Sequence, residues 1–245
     1  MSIRVFVERQ RINDTQVHIA GSAAEHLVRV LRIASGDLLI VQPGDGTAFT
    51  TIVREATPVL VRAEIQGPAA APPAISPCVN IFQALVKGDR FETVLQRCTE
   101  IGAKRFIPII TERTVRRPEA SRTPHQMARW QAILCSASEQ CGRADIPGIQ
   151  APQALSQALE SHKAPGIMLS TRDSDPLGVV LERMGSPAEL DLFIGPEGGW
   201  ADAEIATARH HNVSPALLET YTLRTETAAL VAVSQILYAC RRNAK

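Results

Sequence analysis

Over residues 1–67 the apolar positions recur at every second residue in short runs. Arg4-Val5-Phe6-Val7 and Gln16-Val17-His18-Ile19 alternate as half-buried strands do, and Val59 to Ile65 adds another such run. Asp37 to Val41 and Thr47 to Val53 flank Pro43-Gly44-Asp45-Gly46, whose glycines accept the positive φ that a hairpin turn requires. One helix is expected among them, Ser22 to Val30, with Ser22 as N-cap and Glu25 as its capping-box partner. So many short strands in so short a stretch predict a small β-barrel. The segment 68–77 then breaks the pattern. Gly67-Pro68-Ala69-Ala70-Ala71-Pro72-Pro73-Ala74-Ile75-Ser76-Pro77 holds four prolines, which fix φ and remove backbone donors, so it reads as a semi-rigid linker between two domains.

From residue 78 to 245 the pattern becomes strand, helix, strand, helix. Apolar strands are expected at Val79 to Val86, Phe106 to Ile110, Gly166 to Ser170, Leu190 to Ile194 and Ala216 to Leu218. Phe91, Val94, Leu95, Cys98 and Ile101 share one helical face, and Gly102 follows as a stop. Thr123 is the expected cap of a helix with Pro124 at its first position, running through Trp130 and Leu134 to Gly142. A last helix is expected from Thr225 to about Arg242. Apolar strands alternating with amphipathic helices indicate an α/β domain with a mostly parallel sheet covered on both faces.

Composition narrows the function classes. The chain of 245 residues carries 26 basic and 25 acidic side chains, so a polyanionic partner must meet a local patch rather than a uniformly basic surface. Aromatic residues make up only 4%, too few for a binder that works mainly by stacking bases. The five cysteines (Cys78, Cys98, Cys135, Cys141, Cys240) form no Cys-x-x-Cys pair, which disfavours a disulfide framework or a zinc knuckle and suits a reducing cytoplasm. The six histidines show no metal-binding spacing, so no metal is expected. No apolar run approaches the ~20 residues of a membrane span, and the start lacks the apolar core of a secretory signal.

Three stretches carry candidate chemistry. Leu192-Phe193-Ile194 runs into Gly195-Pro196-Glu197-Gly198-Gly199, with Asp202 as the expected cap of a following helix. In open α/β sheets ligands bind beyond the carboxyl ends of strands, and glycines there let backbone amides approach them; a tight strand-to-helix turn is the alternative. The run is neither Gly-x-Gly-x-x-Gly nor a Walker loop, which disfavours a dinucleotide or NTP held in the standard way. In Leu223-Arg224-Thr225-Glu226-Thr227-Ala228, Thr225 and Glu226 suit a helix N-terminus, but Arg224 is a cation at the unfavourable end and is a candidate to hold a phosphate or base edge. From Lys104 to Arg129 seven basic residues face two acids, a net of +5 that either solvates a face or meets a polyanion.

The ordered set of Arg4-Val5-Phe6-Val7, His26-Leu27-Val28-Arg29-Val30-Leu31-Arg32, Thr99-Glu100-Ile101-Gly102, Thr111-Glu112-Arg113, Arg129-Trp130, Glu139-Gln140-Cys141-Gly142-Arg143, Ile194 to Gly199 and Leu223 to Ala228 resembles the bacterial RsmE family. Members of that family are S-adenosylmethionine-dependent methyltransferases of the SPOUT superfamily that act on N3 of one uridine in 16S ribosomal RNA of the small subunit. The resemblance implies a PUA-like, RNA-binding barrel at 1–67, a trefoil-knotted α/β methyltransferase domain at 78–245, a homodimer and a cytoplasmic role in ribosome biogenesis. It implies cofactor contacts from Leu169, Ser170, Ile194, Gly195, Pro196, Gly198, Gly199, Leu218, Leu223, Thr225, Thr227 and Ala228. Arg224, Glu197 and Glu226 are the candidates for catalysis, Arg224 as the cation that stabilises charge on the uracil oxygens. RNA capture is expected from Arg4, Arg9, Arg29 and Arg32 on the barrel, from the loop bearing Arg113, Arg116 and Arg117, and from Arg143. This chain has Leu218-Glu219-Thr220-Tyr221-Thr222 where the family has Leu-Gly-Pro, which alters the backbone path there. A non-catalytic RNA-binding protein and a ribose-methylating relative are the competing readings.

Overall fold

The computed structural model describes residues 3–70, 72, 75–115, 121, 123–219 and 221–243. Its strands and helices form two compact units, residues 1–73 joined by Cys135–Ile146, and Ala74–Leu134 joined by Pro147–Lys245. The expected linker at 68–77 contains three positions outside the described residues (71, 73 and 74).

In the first unit β1 (Ile3–Phe6), β2 (Gln16–Ala20), β3 (Leu38–Gln42), β4 (Phe49–Ala56) and β5 (Leu60–Pro68) form one sheet in the order β1-β3-β4-β5-β2. All pairings are antiparallel except β1 with β3. Alternate positions point inward and bury Val17, Ile19, Leu39, Val41, Val53 and Val61. Among the described residues β1 and β2 do not pair, so the curled sheet is a half-barrel with two edges rather than a closed barrel.

The expected helix is a single turn, α1 (Ser22–Glu25), continued by a wider turn over His26–Val30 in which Leu31 N–H reaches His26 O. Its cap differs from the expectation. Gly21, at φ 72°, precedes the helix, no side chain caps it, and Glu25 pairs with Arg29 instead. The end of a later helix completes this unit: Phe6 N–H donates to Glu139 Oε1 at 2.9 Å and Gln42 Nε2 donates to Arg143 O at 2.9 Å.

The second unit contains β6 (Cys78–Ala84), α2 (Arg90–Ile101), β7 (Arg105–Ile110), α3 (Thr123–Cys141), β8 (Gly148–Ile149), β9 (Gln153–Ala154), α4 (Leu155–Ser161), β10 (Gly166–Leu169), β11 (Asp175–Pro176), α5 (Leu177–Met184), β12 (Glu189–Ile194), α6 (Asp202–His210), β13 (Val213–Leu217) and α7 (Thr225–Asn243), with the last turns of α3 belonging to the first unit. The strands run in the order β11-β13-β10-β12-β6-β7-β8, with β9 also on β7, and every pairing is parallel. This is the expected α/β architecture.

Phe82 stacks on Phe193 at 4.3 Å on the sheet face covered by α4 and α6, while Ile81, Gln83 and Leu192, one residue out of phase, lie on the opposite face. Helix α2 ends where expected, at Gly102 with φ 108°, where a Cβ would also lie 2.4 Å from Ile75 Cδ1. Helix α6 is capped otherwise than expected. Ala201 is the N-cap, Asp202 the first helical residue, and Glu204 reaches back to Ala201 N–H at 2.9 Å. No helix among the described residues is long and apolar enough to cross a membrane.

Candidate active site

Because the strands are parallel, all their carboxyl ends open at one edge, and there β10, β12 and β13 lie close together. Leu169 is in register with Ala216, and Ile194 with Gln83. The three segments that follow these strands enclose a cleft of about 510 Å³.

Hydrogen bonds between the segments fix its walls. Ser170 N–H donates to Ala216 O at 2.9 Å, joining the first segment to β13. Trp200 Nε1 donates to Leu169 O at 2.7 Å, joining the second to the first. Thr225 Oγ1 donates to Gly195 O at 2.8 Å, joining α7 to the second. Gly195 is closely packed: a Cβ there would stand 3.0 Å from Trp200 Cε2 and 3.1 Å from its Nε1. The Arg172 guanidinium binds Asp202 at 2.8 Å and the Trp200 carbonyl, closing one rim.

Leu169, Ser170, Ile194, Gly195, Pro196, Gly198, Gly199, Leu218, Leu223, Thr225 and Ala228 all line this cleft, as do Arg224 and Glu197. Thr227 does not; it is exposed on the first turn of α7. Glu226 is also outside the lining, and one of its carboxylate oxygens is buried without a partner among the described residues. Glu197 is held by Arg90, Nη1 to Oε1 at 2.8 Å, so its charge is already matched. Arg224 is exposed and has no carboxylate partner among the described residues.

Of the arginines expected to meet RNA, Arg113 lines the cleft and donates to Gly198 O at 2.8 Å. Arg116, Arg117 and Thr220 lie outside the described residues. The others belong to the first unit. Arg9 lies over the Phe49 ring at 5.6 Å, Arg29 pairs with Glu25 at 2.9 Å, and Arg32 is exposed. Arg4 is half-buried with Nη1 fully enclosed. Arg143 differs from its expected role. Only 13% exposed, it makes two bonds to Asp145, at 3.1 and 3.0 Å, and its charge is spent inside the unit.

Arg90, Arg172 and Trp200 line the cleft without having been singled out in the sequence, and Tyr221, from the 218–222 departure, lines it too. The polar run Lys87-Gly88-Asp89-Arg90 directly after an apolar strand was the readable signal for the first. Four arginines and one glutamate line the cleft, a charge excess suited to a polyanion. Apolar Leu169, Ile194, Leu218 and Leu223 also line it, beside backbone polar groups. Among the described residues no group of three or more His, Cys, Asp or Glu is placed to hold a metal.

Residues 75–237 match the RNA methyltransferase domain family. The chain belongs to this family. Within it, the chain is 33% identical to ribosomal RNA small subunit methyltransferase E of Synechocystis over 96% of its own length and 77% of that protein's. It is 30% identical to the Mycobacterium bovis protein of the same name, over 89% of this chain and 84% of that one. Among solved structures, a Legionella pneumophila methyltransferase with bound S-adenosylmethionine superposes with a TM-score of 0.90 at 30% identity, covering 98% of both chains. The corresponding enzyme of Neisseria gonorrhoeae shares the fold, with a TM-score of 0.88 at 24% identity over 97% of this chain and 98% of that one.

Proposed function

We propose that this RNA methyltransferase family member binds S-adenosylmethionine in the cleft after β10, β12 and β13 and methylates N3 of a uridine in 16S ribosomal RNA of the small subunit. The observation that carries the reading is the convergence of residues 195–199 with Leu223, Arg224, Thr225 and Ala228 on one cleft, where Arg224 has no carboxylate partner among the described residues. The cleft volume falls in the roughly 300–1,000 Å³ range of small-molecule sites. Its apolar walls suit an adenosine. Leu169, Ile194, Leu218 and Leu223 would pack on the purine and ribose, and backbone groups of 195–199 and 218–225 would meet the polar edges.

When bound, the cofactor supplies a methyl group already activated by a sulfonium. The residues of the chain then have two tasks, alignment of the nucleophile and stabilisation of the charge that develops on it. Uridine N3 becomes nucleophilic as its proton leaves, which places negative charge on the uracil oxygens. Arg224 donates to that charge. Glu197 is paired with Arg90 at the cleft, and Glu226 lies outside its lining. The base must enter unstacked, since N3 is hidden in a duplex. Arg113, Arg9 and Arg32 contribute contacts to RNA phosphates.

The same reading includes a PUA-like role for the half-barrel in holding RNA, a homodimer, a cytoplasmic enzyme and a trefoil knot. The knot is supported by the start of α7, which bonds to the ends of β12 and β6, two and three strands across the sheet from β13 where the preceding segment begins.

The test is methyl transfer to small subunits from cells lacking the protein, with nucleoside mass spectrometry and calorimetric titration of S-adenosylmethionine. The wild type should bind the cofactor and yield 3-methyluridine. Arg224→Ala should keep cofactor affinity and lose turnover by about 10²–10³-fold, as removal of an oxyanion donor does. A ribose-methylated product, or no cofactor binding, would overturn the proposal.

A further inference from the structure

Beneath the cleft lies a chain of hydrogen bonds whose direction can be deduced. Gln83, at the end of β6, is fully buried, and so nearly is Thr225, the first residue of α7. Gln83 Nε2 lies 3.0 Å from Thr225 Oγ1 and 3.1 Å from its neighbour's carbonyl, Ala84 O. A carbonyl only accepts, so the amide nitrogen must be the atom on that side, and the opposite amide orientation would set oxygen against oxygen. Thr225 has one hydroxyl proton, and Gly195 O at 2.8 Å also only accepts, so the proton goes there. Thr225 Oγ1 therefore accepts from Gln83. The amide oxygen, Oε1, is buried with no partner among the described residues, so every side-chain hydrogen bond described for Gln83 comes from its donor end.

From this we infer that Gln83 is a positioning residue for the methyl-transfer site: it polarises and orients the Thr225 hydroxyl, which pins the Gly195 carbonyl and so locks the 195–199 segment to the start of α7. The inference rests on the proposed reading of the cleft as the S-adenosylmethionine site. Three segments meet at this one hydroxyl: the end of β6, the turn after β12 and the residue following Arg224. The Gly195 carbonyl is thereby engaged by Thr225 rather than left to a ligand, and Arg224 inherits its position from its fixed neighbour. A buried glutamine among the apolar residues Ile81, Phe82 and Ala84 is otherwise only a poor core residue.

The polarity of the chain makes the test sharp. Gln83→Met keeps the bulk and removes the donor, leaving Thr225 free to rotate; S-adenosylmethionine affinity should fall about tenfold, the worth of one well-placed hydrogen bond. Gln83→Glu, when ionised, reverses the chain by drawing the Thr225 proton to itself and abandoning Gly195 O. It should bind the cofactor more weakly than Gln83→Met at pH 8. It should recover towards wild type at pH 6, as the buried carboxyl takes up a proton and donates again. A residue that merely fills space would show the same affinity for both variants at both pH values, or no change in either, and that result overturns the inference. Should Gln83→Glu fail to fold, a double-variant cycle decides. With Thr225→Val already in place, Gln83→Met should cost no further affinity, whereas additive losses reject the chain. Absence of cofactor binding by the wild type would instead reject the underlying reading of the cleft.

Discussion

Arg90 and Glu197 meet at the mouth of the cleft with side chains 39% and 37% exposed. An ion pair so open to solvent contributes at most about 1 kcal/mol to folding, so its importance lies in removing Glu197 from the set of free carboxylates. Arg224, one residue before α7, keeps its charge unmatched among the described residues. The contrast between these two side chains is the ground on which Arg224 is proposed as the catalytic cation. Gly195 is constrained in another way. Its φ is ordinary for any residue, yet a methyl group would press on the Trp200 indole at 3.0 Å, and that indole ties the cleft's walls together through Leu169 O. Gly195→Ala is therefore expected to destabilise the protein by about 1–3 kcal/mol, as overpacking does. It should also weaken S-adenosylmethionine binding by more than the loss of stability explains. Thermal unfolding and calorimetry on the same sample measure both, and unchanged cofactor affinity would show that Trp200 can yield without moving the wall.

At the scale of elements, the clearest expectation concerns the junction of β1 with the last turns of α3. Burial raises the Glu139 carboxyl above its ordinary value of 4.5, while the bond from Phe6 N–H and the nearby His26 pull it partly back. A carboxyl raised in the native state contributes stability that is complete below its unfolded pKa. That contribution is lost as pH rises through the raised folded value. The stability of the wild type should therefore decline, from this source, as pH climbs from about 4.5. Glu139→Gln keeps an acceptor for Phe6 N–H and removes the titration, so Tm measured against pH should be flatter in the variant and higher near neutrality. An unchanged Tm profile would mean that Glu139 titrates normally. This junction also shows what periodicity can and cannot convey. The face formed by Phe91, Val94, Leu95 and Cys98 announced α2, and the apolar run at 190–194 announced β12, because each is long enough to repeat its own period. The two-residue strands β8, β9 and β11 carry no period at all, and α4 and α5 span only seven and eight residues. Residues Cys135 to Ile146 join the first unit through hydrogen bonds to β1 and β3 that span more than 100 positions, which no local pattern encodes. The cleft was legible where motifs repeat those of a known family, at 194–199 and 223–228. Gln83 was not, because its partner Thr225 is 142 residues away and only the strand order brings them together.

Taken whole, the chain carries 26 basic against 25 acidic side chains, yet four arginines and a single glutamate line the cleft after β10, β12 and β13. Arg172 is matched by Asp202 and Arg90 by Glu197, which leaves Arg113 and Arg224 as the cations offered to a ligand. An overall balance near neutrality combined with a local excess separates two binding events by their response to salt. Each phosphate neutralised by a cation releases condensed counterions, so log affinity for single-stranded RNA falls with log salt by about 0.7 per contact. S-adenosylmethionine has no comparable counterion atmosphere, and its affinity should change little over the same range. RNA affinity should accordingly drop steeply between about 50 and 200 mM salt, while cofactor affinity stays nearly level. Arg113→Ala should reduce the slope for RNA by about one contact, and Arg113→Lys should restore it, because a point charge suffices for a phosphate even where the fork to Gly198 O is lost. Filter binding with a single-stranded fragment of 16S ribosomal RNA, run across salt for all three proteins, provides the comparison. If Arg113→Ala leaves the slope intact, Arg113 serves only to brace the 195–199 segment, and the charge excess of the cleft acts on the reacting base rather than on the backbone that delivers it.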